Sequence, residues 1–444
     1  MKKIVSLMLC AAMLAAATGC AGGTSSVSES APESTPAAVT EGAVSEDAPA
    51  TADSETAASE EQVPEEQPPE DIDYSALSDE EIYDLMVERS LMTTGDMTRM
   101  ANVLKKARSG EEITIAYIGG SITYGMTVAP NEPEKCWAYL TYKWLEEQFP
   151  EAKINYVNAG ISGTPSILGN IRLERDVLAY DPDIVFVEFA VNDGTANDYK
   201  NSYESLVRTL LTQDKDIAVA LFFTIIKSGH TCQPHMSRIG DNYNLPMISE
   251  PNSLWVEMQE GRMVWEDYSD DESHPNEYGH TIAADFIKNY FKQVIEQMDE
   301  NVGEVSKELP APVFSDRYQN MHYIDSEKLE GVELNGFVQD DTHSDFHNGW
   351  MYKGNQGASM KFKLNCKSLE IIYKANKTKA YADADIYVDG EKRITVSSCQ
   401  SDGWNNPVTA FIIDEDEAAE HEIEIVVAGG QNSYFGVLGF GYCD

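Results

Sequence analysis

Residues 113–118 form a near-continuous apolar run that stops at Gly119-Gly120-Ser121. A run of that length without polar alternation predicts a strand covered on both faces. Further strands are predicted at 154–158, 184–189 and 217–223, with a shorter one at 247–248. Between them the apolar spacing lengthens to that of a helix. Trp137, Leu140, Trp144 and Leu145 mark one over 136–148, and others are predicted over 166–178, 203–211 and 277–297. Upstream, Ser78 reads as the cap of a first helix, and a second covers 97–108. A loop with His230 and His235 leads into a further helix. Strands alternating with helices predict a parallel sheet with helices on both faces. The loops at the C-terminal strand ends then share one edge, where Ser121, Gly160, Asn192 and His274 converge.

From residue 307 onward the texture changes. After Pro310-Ala311-Pro312, short alternating segments recur at 349–353, 359–364, 369–373, 382–388, 393–397, 408–413, 423–427 and 434–440. Val388-Asp389-Gly390-Glu391 is a hairpin turn. Strands without helices predict a β-sandwich of jelly-roll type. Residues 21–73 show neither pattern. They are mostly Ser, Thr, Ala, Pro, Gly and Glu, with no Lys or Arg and almost no large apolar residue, which predicts a disordered acidic tether. Lys2 and Lys3 precede a short apolar stretch at 4–17 that ends in Ala17-Thr18-Gly19-Cys20. That segment is too short for an ordinary membrane span. It resembles a bacterial lipobox, which implies cleavage before Cys20, a lipid on its sulfur and an extracytoplasmic, membrane-anchored protein. The expected order is a signal peptide (1–19), a tether (20–75), an α/β domain (76–306) and a β-sandwich (307–444).

The 444 residues carry a formal net charge of -43, which disfavours nucleic acid as a partner. Past Cys20 the cysteines are Cys136, Cys232, Cys366, Cys399 and Cys443. Their odd, sparse placement argues against a zinc site and a disulfide scaffold. A single bridge among the last three stays open.

Serine acyl transfer needs a hydroxyl, a base, an orienter and donors for the oxyanion. Gly119 and Gly120 permit a tight bend that exposes the Ser121 hydroxyl at the sheet edge. Asp271 and His274, three apart before Pro275, supply orienter and base. The N–H groups of Ser121 and Gly160 and the Asn192 amide supply an oxyanion hole. His280 reads as packing, His230 and His235 as ordinary loop residues, and Asp193 as an organiser of its loop. No metal or organic cofactor is called for.

Gly119-Gly120-Ser121-Ile122-Thr123, Asn158-Ala159-Gly160, Val191-Asn192-Asp193 and Asp271-Glu272-Ser273-His274-Pro275-Asn276 together resemble, in order, the four blocks of the SGNH (GDSL-type) hydrolases. The resemblance implies a flavodoxin-like three-layer α/β/α fold and an esterase triad. One departure is Gly120, where the name motif carries Asp. A serine esterase joined to a β-sandwich on a bacterial surface is similar to carbohydrate esterases, which implies an acetylated glycan as substrate. Trp350 and Trp404, with Tyr352 and Tyr434, are candidates to stack on sugar rings, against a competing role in the sandwich core. The alternatives are a lipase or acylhydrolase, an O-acetyltransferase on the same triad, and a non-enzymatic glycan-binding lipoprotein.

Overall fold

The structure is a computed structural model that describes residues 72–341, 343–429 and 433–444. The expected signal peptide, Cys20 and the expected tether up to residue 71 lie outside the described residues. No helix among the described residues is long and apolar enough to cross a membrane.

The α/β part is built on one sheet of six strands: β1 (Leu91–Thr93), β2 (Ile113–Gly119), β3 (Ile154–Gly160), β4 (Ile184–Glu188), β5 (Ala218–Phe223) and β6 (Met247–Ser249). Their spatial order is β1-β6-β5-β4-β2-β3. The strands β2 to β6 run parallel, while β1, which periodicity did not reveal, pairs antiparallel with β6. Within the parallel set this is the flavodoxin-like order, with its switch point at β2.

The apolar runs bury both faces. Ile113, Ile115 and Tyr117 face one core with Phe186 and Phe222. That core is closed by α2 (Thr98–Arg108), α4 (Trp137–Gln148) and α10 (Glu277–Asn301). Ala116, Ile118, Val185 and Val187 face the other core. There they meet α5 (Ser166–Asp176), α6 (Asn197–Leu211) and α7 (Gln233–Asn242). Of the remaining helices, α1 is Asp79–Arg89, α3 Ser121–Tyr124, α8 Leu254–Gln259 and α9 Trp265–Tyr268. Ser78 does cap α1, forming a capping box with Glu81.

The C-terminal part is all β: β7 (His322–Ile324), β8 (Glu333–Asn335), β9 (Phe337–Asp340), β10 (Gly349–Gly354), β11 (Ala358–Asn376), β12 (Asp383–Val388), β13 (Glu391–Ser397), β14 (Trp404–Val427) and β15 (Ser433–Cys443). Two of the expected strand pairs are in fact single long strands, β11 and β14. Their pairing shifts register between Cys366 and Ser368 and between Leu369 and Glu370. Such irregularities let a long ribbon bend and stay in the sandwich. The predicted hairpin joins β12 to β13, with Asp389 at φ 53 and Gly390 at φ 82. Cys366, Cys399 and Cys443 are free thiols.

The two parts share a core. Ile161, Ile167, Leu168 and Ile171 pack with Tyr318, Tyr323, Phe346, Ile372 and Leu438. A Cβ on Gly441 would lie 2.4 Å from Ile171, so α5 sits directly on β15. The connecting chain is pinned by buried Glu204, whose carboxylate accepts the N–H groups of Val313 (2.6 Å), Phe314 (2.6 Å) and Ser315 (3.0 Å).

Candidate active site

The switch point of the sheet gathers three loops. β2 ends in Gly119 and turns into the short helix α3, whose first residue is Ser121. The bend needs glycine at 120 for a close approach. A Cβ there would lie 2.1 Å from Asn192 Oδ1, so the Asn192 amide rests flat against the backbone preceding the serine. In this chain that contact leaves no room for a side chain at position 120. Below the turn, fully buried Glu188 accepts the hydroxyls of Thr123 and Thr224, each at 2.8 Å. Burial pushes its carboxyl pKa up, against those hydroxyls and the Gly120 and Thr123 N–H groups.

A further loop brings His274 against the serine. His274 Nε2 lies 3.0 Å from Ser121 Oγ, and His274 Nδ1 lies 2.8 Å from Asp271 Oδ2. Asp271 Oδ1 accepts the N–H groups of Ser273 (2.6 Å) and His274 (2.7 Å), so the carboxylate both folds the loop and aims the ring. Burial raises the Asp271 pKa, but the His274 ring and these N–H donors outweigh it and the net shift is downward. The carboxylate therefore stays ionised beside the imidazole. Trp265 Nε1 donates to the Asp271 carbonyl at 2.6 Å, and Ser269 Oγ donates to that of His274 at 2.6 Å. Beneath, Tyr268 donates to buried Glu250 at 2.9 Å, which ties the loop to the end of β5 through the Ile225 N–H at 3.1 Å.

Of the three expected oxyanion donors, two are free. The Ser121 N–H heads α3, and Asn192 Nδ2 donates to nothing among the described residues. Gly160 does not fit. Its N–H is taken by the Asn158 side chain at 2.9 Å, because Gly160 closes an edge strand and that N–H points away from β2. The glycine is there for contact instead: a Cβ would lie 2.2 Å from Tyr124 N. Three residues on, Gly163 has φ 71, lies exposed in the loop between β3 and α5, and donates its N–H to nothing among the described residues. The signal that could have found it was the second glycine of Gly160-Ile161-Ser162-Gly163.

Trp350 is a correction as well. It is 2 % exposed and packs in the sandwich core against Phe440, so it offers no face to a sugar. Tyr352 is buried with it. Trp404 is 57 % exposed, and its indole lies where a Cβ on Gly163 would stand, 2.4 Å from Cη2. A cleft of about 350 Å³ opens there between the two parts, lined by Tyr124, Met126, Ser162, His343, Trp404 and Asn406. His280 is buried, with Nδ1 accepting the Trp137 N–H at 3.4 Å, and burial lowers its pKa to about 3. His235 is buried on α7, and burial lowers its pKa to about 4. Asp193 accepts the N–H (2.7 Å) and hydroxyl (2.5 Å) of Ser166 and so caps α5. No cluster of three metal-binding side chains occurs among the described residues.

Residues 117–282 match the model of the GDSL-like Lipase/Acylhydrolase family, and the protein is a carboxylic-ester hydrolase. It is 28% identical over 211 residues to an acetylxylan esterase of Geobacillus stearothermophilus, with 40% of this chain and 93% of that one covered. The likeness to solved structures extends over both parts. A two-domain esterase (CEX) active on acetylated mannans, co-crystallised with mannopentaose, superposes with a TM-score of 0.73 at 28% identity. The match covers 81% of this chain and 98% of that one. A second structure of CEX gives a TM-score of 0.74 at the same identity.

Proposed function

We propose that the protein is a serine esterase that removes O-acetyl groups from polysaccharides or oligosaccharides. The observation that carries the mechanism is the relay Asp271–His274–Ser121 at 2.8 and 3.0 Å. His274 Nε2 takes the Ser121 proton as Oγ attacks the acetyl carbonyl. The tetrahedral oxyanion is held by the Ser121 N–H, Asn192 Nδ2 and, in place of Gly160, the Gly163 N–H. Collapse expels the sugar alkoxide, which regains the proton from His274. Water, deprotonated by His274, then releases acetate from the acyl-enzyme and restores Ser121.

Support for a glycan substrate comes from the relatives, which act on acetylated xylan and mannans by name, and from Trp404, an exposed ring set beside the Gly163 loop by the second domain. Aromatic rings in such places stack on sugar faces. The lipid anchor at Cys20 stays part of the proposal on its sequence motif; a Cys20→Ala variant that still partitions with membranes would remove it.

The deciding experiment is acetate release from acetylated mannan, acetylated xylan and an aryl acetate, by wild type and Ser121→Ala. Loss of nearly all release in the variant supports the serine mechanism, and the ranking among polymers identifies the glycan. Equal activity in both proteins refutes the mechanism; release from the aryl acetate alone refutes the glycan.

A further inference from the structure

Arg172 lies in the middle of α5 and is 0 % exposed. An uncompensated charge so deep is costly, and carbon of similar volume would fill the space at no such cost. Its partners are mostly backbone. Nη1 donates to the Ala159 carbonyl at 2.6 Å and Nη2 to the Gly119 carbonyl at 3.0 Å, and Nη1 also reaches Asp176 at 3.2 Å. Gly119 and Gly160 form the last rung of the ladder between β2 and β3. Beyond it the two strands part, one to Ser121 and the other to Gly163. The Gly119 carbonyl also accepts the Ile161 N–H at 3.1 Å, so the guanidinium braces the two strands at the last bond of their own pairing.

The opposite side of the same peptide unit is also held. The Gly119 carbonyl faces the Arg172 cation, while the Gly120 N–H faces the Glu188 carboxyl. Rotation of that peptide would swing the next N–H, that of Ser121. At its N-terminal end α5 reaches the third loop as well, since Ser166 donates to Asp193, the neighbour of Asn192.

We propose that Arg172 is a positioning residue for the oxyanion hole, setting the separation of the Ser121 and Gly163 N–H donors by clipping together the carbonyls of Gly119 and Ala159. The inference rests on the serine-esterase reading and on those donors. Misplacement of such groups by about 1 Å costs on the order of 10²-fold in rate.

The test compares wild type, Arg172→Met, Arg172→Lys and Asp176→Asn. Three quantities are measured: kcat and KM on p-nitrophenyl acetate, the rate of phosphonylation by a p-nitrophenyl phosphonate, and the thermal midpoint. Arg172→Met keeps the bulk and loses both carbonyl bonds. Its kcat and phosphonylation rate should fall together by on the order of 10²-fold, with KM within about threefold of wild type. Arg172→Lys, able to reach one carbonyl, should fall between Met and wild type. Asp176→Asn removes the ion pair and leaves both carbonyl bonds, so its midpoint should drop while kcat holds. The proposal is overturned if folded Arg172→Met keeps kcat within about threefold of wild type, or if Asp176→Asn loses as much kcat as Arg172→Met. Should Arg172→Met fail to fold, Arg172→Lys decides: wild-type kcat and phosphonylation in it overturn the clip. Wild type that gains no phosphonyl mass at Ser121 sinks the serine reading itself, and the clip with it.

Discussion

Substitution of Gly163 by alanine tests the reassigned oxyanion donor. The perturbation is small in atoms and large in consequence. At φ 71 an L-side chain is strained by about 1–2 kcal/mol. The new methyl would stand 2.4 Å from Trp404 Cη2 and 2.8 Å from Cζ2, well inside van der Waals contact. Either the indole swings out, which its exposure allows, or the loop retreats and carries its N–H away from the oxyanion. Loss of one such donor costs about 10²–10³ in turnover, or about 2.7–4 kcal/mol. The expected result is therefore a kcat on p-nitrophenyl acetate lowered on the order of 10²-fold with KM nearly unchanged. In a Trp404→Ala background the collision disappears and the backbone strain remains, so part of the lost kcat should return. Stopped-flow acylation together with thermal unfolding separates the chemical effect from global destabilisation. A Gly163→Ala enzyme with kcat within about threefold of wild type would show that the indole swings out and the loop stays in place, refuting the expected displacement of this N–H.

Other expectations follow from separate parts of the molecule. Trp404→Ala alone should leave aryl acetate hydrolysis within about threefold of wild type and raise KM for an acetylated oligosaccharide about tenfold; equal effects on both substrates would remove the indole from sugar binding. Glu250 bears on stability. Burial raises its pKa to about 8, against 4.5 for an ordinary Glu, so between those values the folded state holds a proton that the unfolded state has lost. Its contribution is therefore full below about pH 4.5 and falls as pH rises to 8, by up to about 1.4 kcal/mol per pH unit. Gln keeps the shape of the side chain and carries no titrating proton, so urea melts of Glu250→Gln should show a flatter pH dependence than wild type; parallel curves would refute this. Truncation after residue 306 would bare Ile167, Leu168 and Ile171 and leave the Glu204 carboxylate without three of its donors. A truncated chain that stays soluble, monomeric and as active as wild type would show that the second part is dispensable to the first.

Much of this protein could be read directly from one dimension. The sheet strands were legible because burial on both faces makes a strand apolar throughout, and the helices because one covered face imposes a 3.6-residue period. The relay was legible because Asp271 and His274 sit three apart on one loop, and because a parallel sheet brings its C-terminal strand ends together. What required the tertiary structure were features that depend on direction and on distant partners. Whether Gly160 or Gly163 offers its N–H depends on where an edge strand points that group and on the Asn158 side chain that takes it. Trp350 and Trp404 look alike in sequence, yet strand pairing turns one into the core and leaves the other exposed against the distant Gly163 loop. Two expected strand pairs are single bent ribbons, since a bulge leaves little trace in the hydrophobic pattern. Arg172 reads in sequence as one more charge on a helix. Its burial comes from two carbonyls on two strands, and local periodicity carries no information about contacts that only the assembled sheet creates.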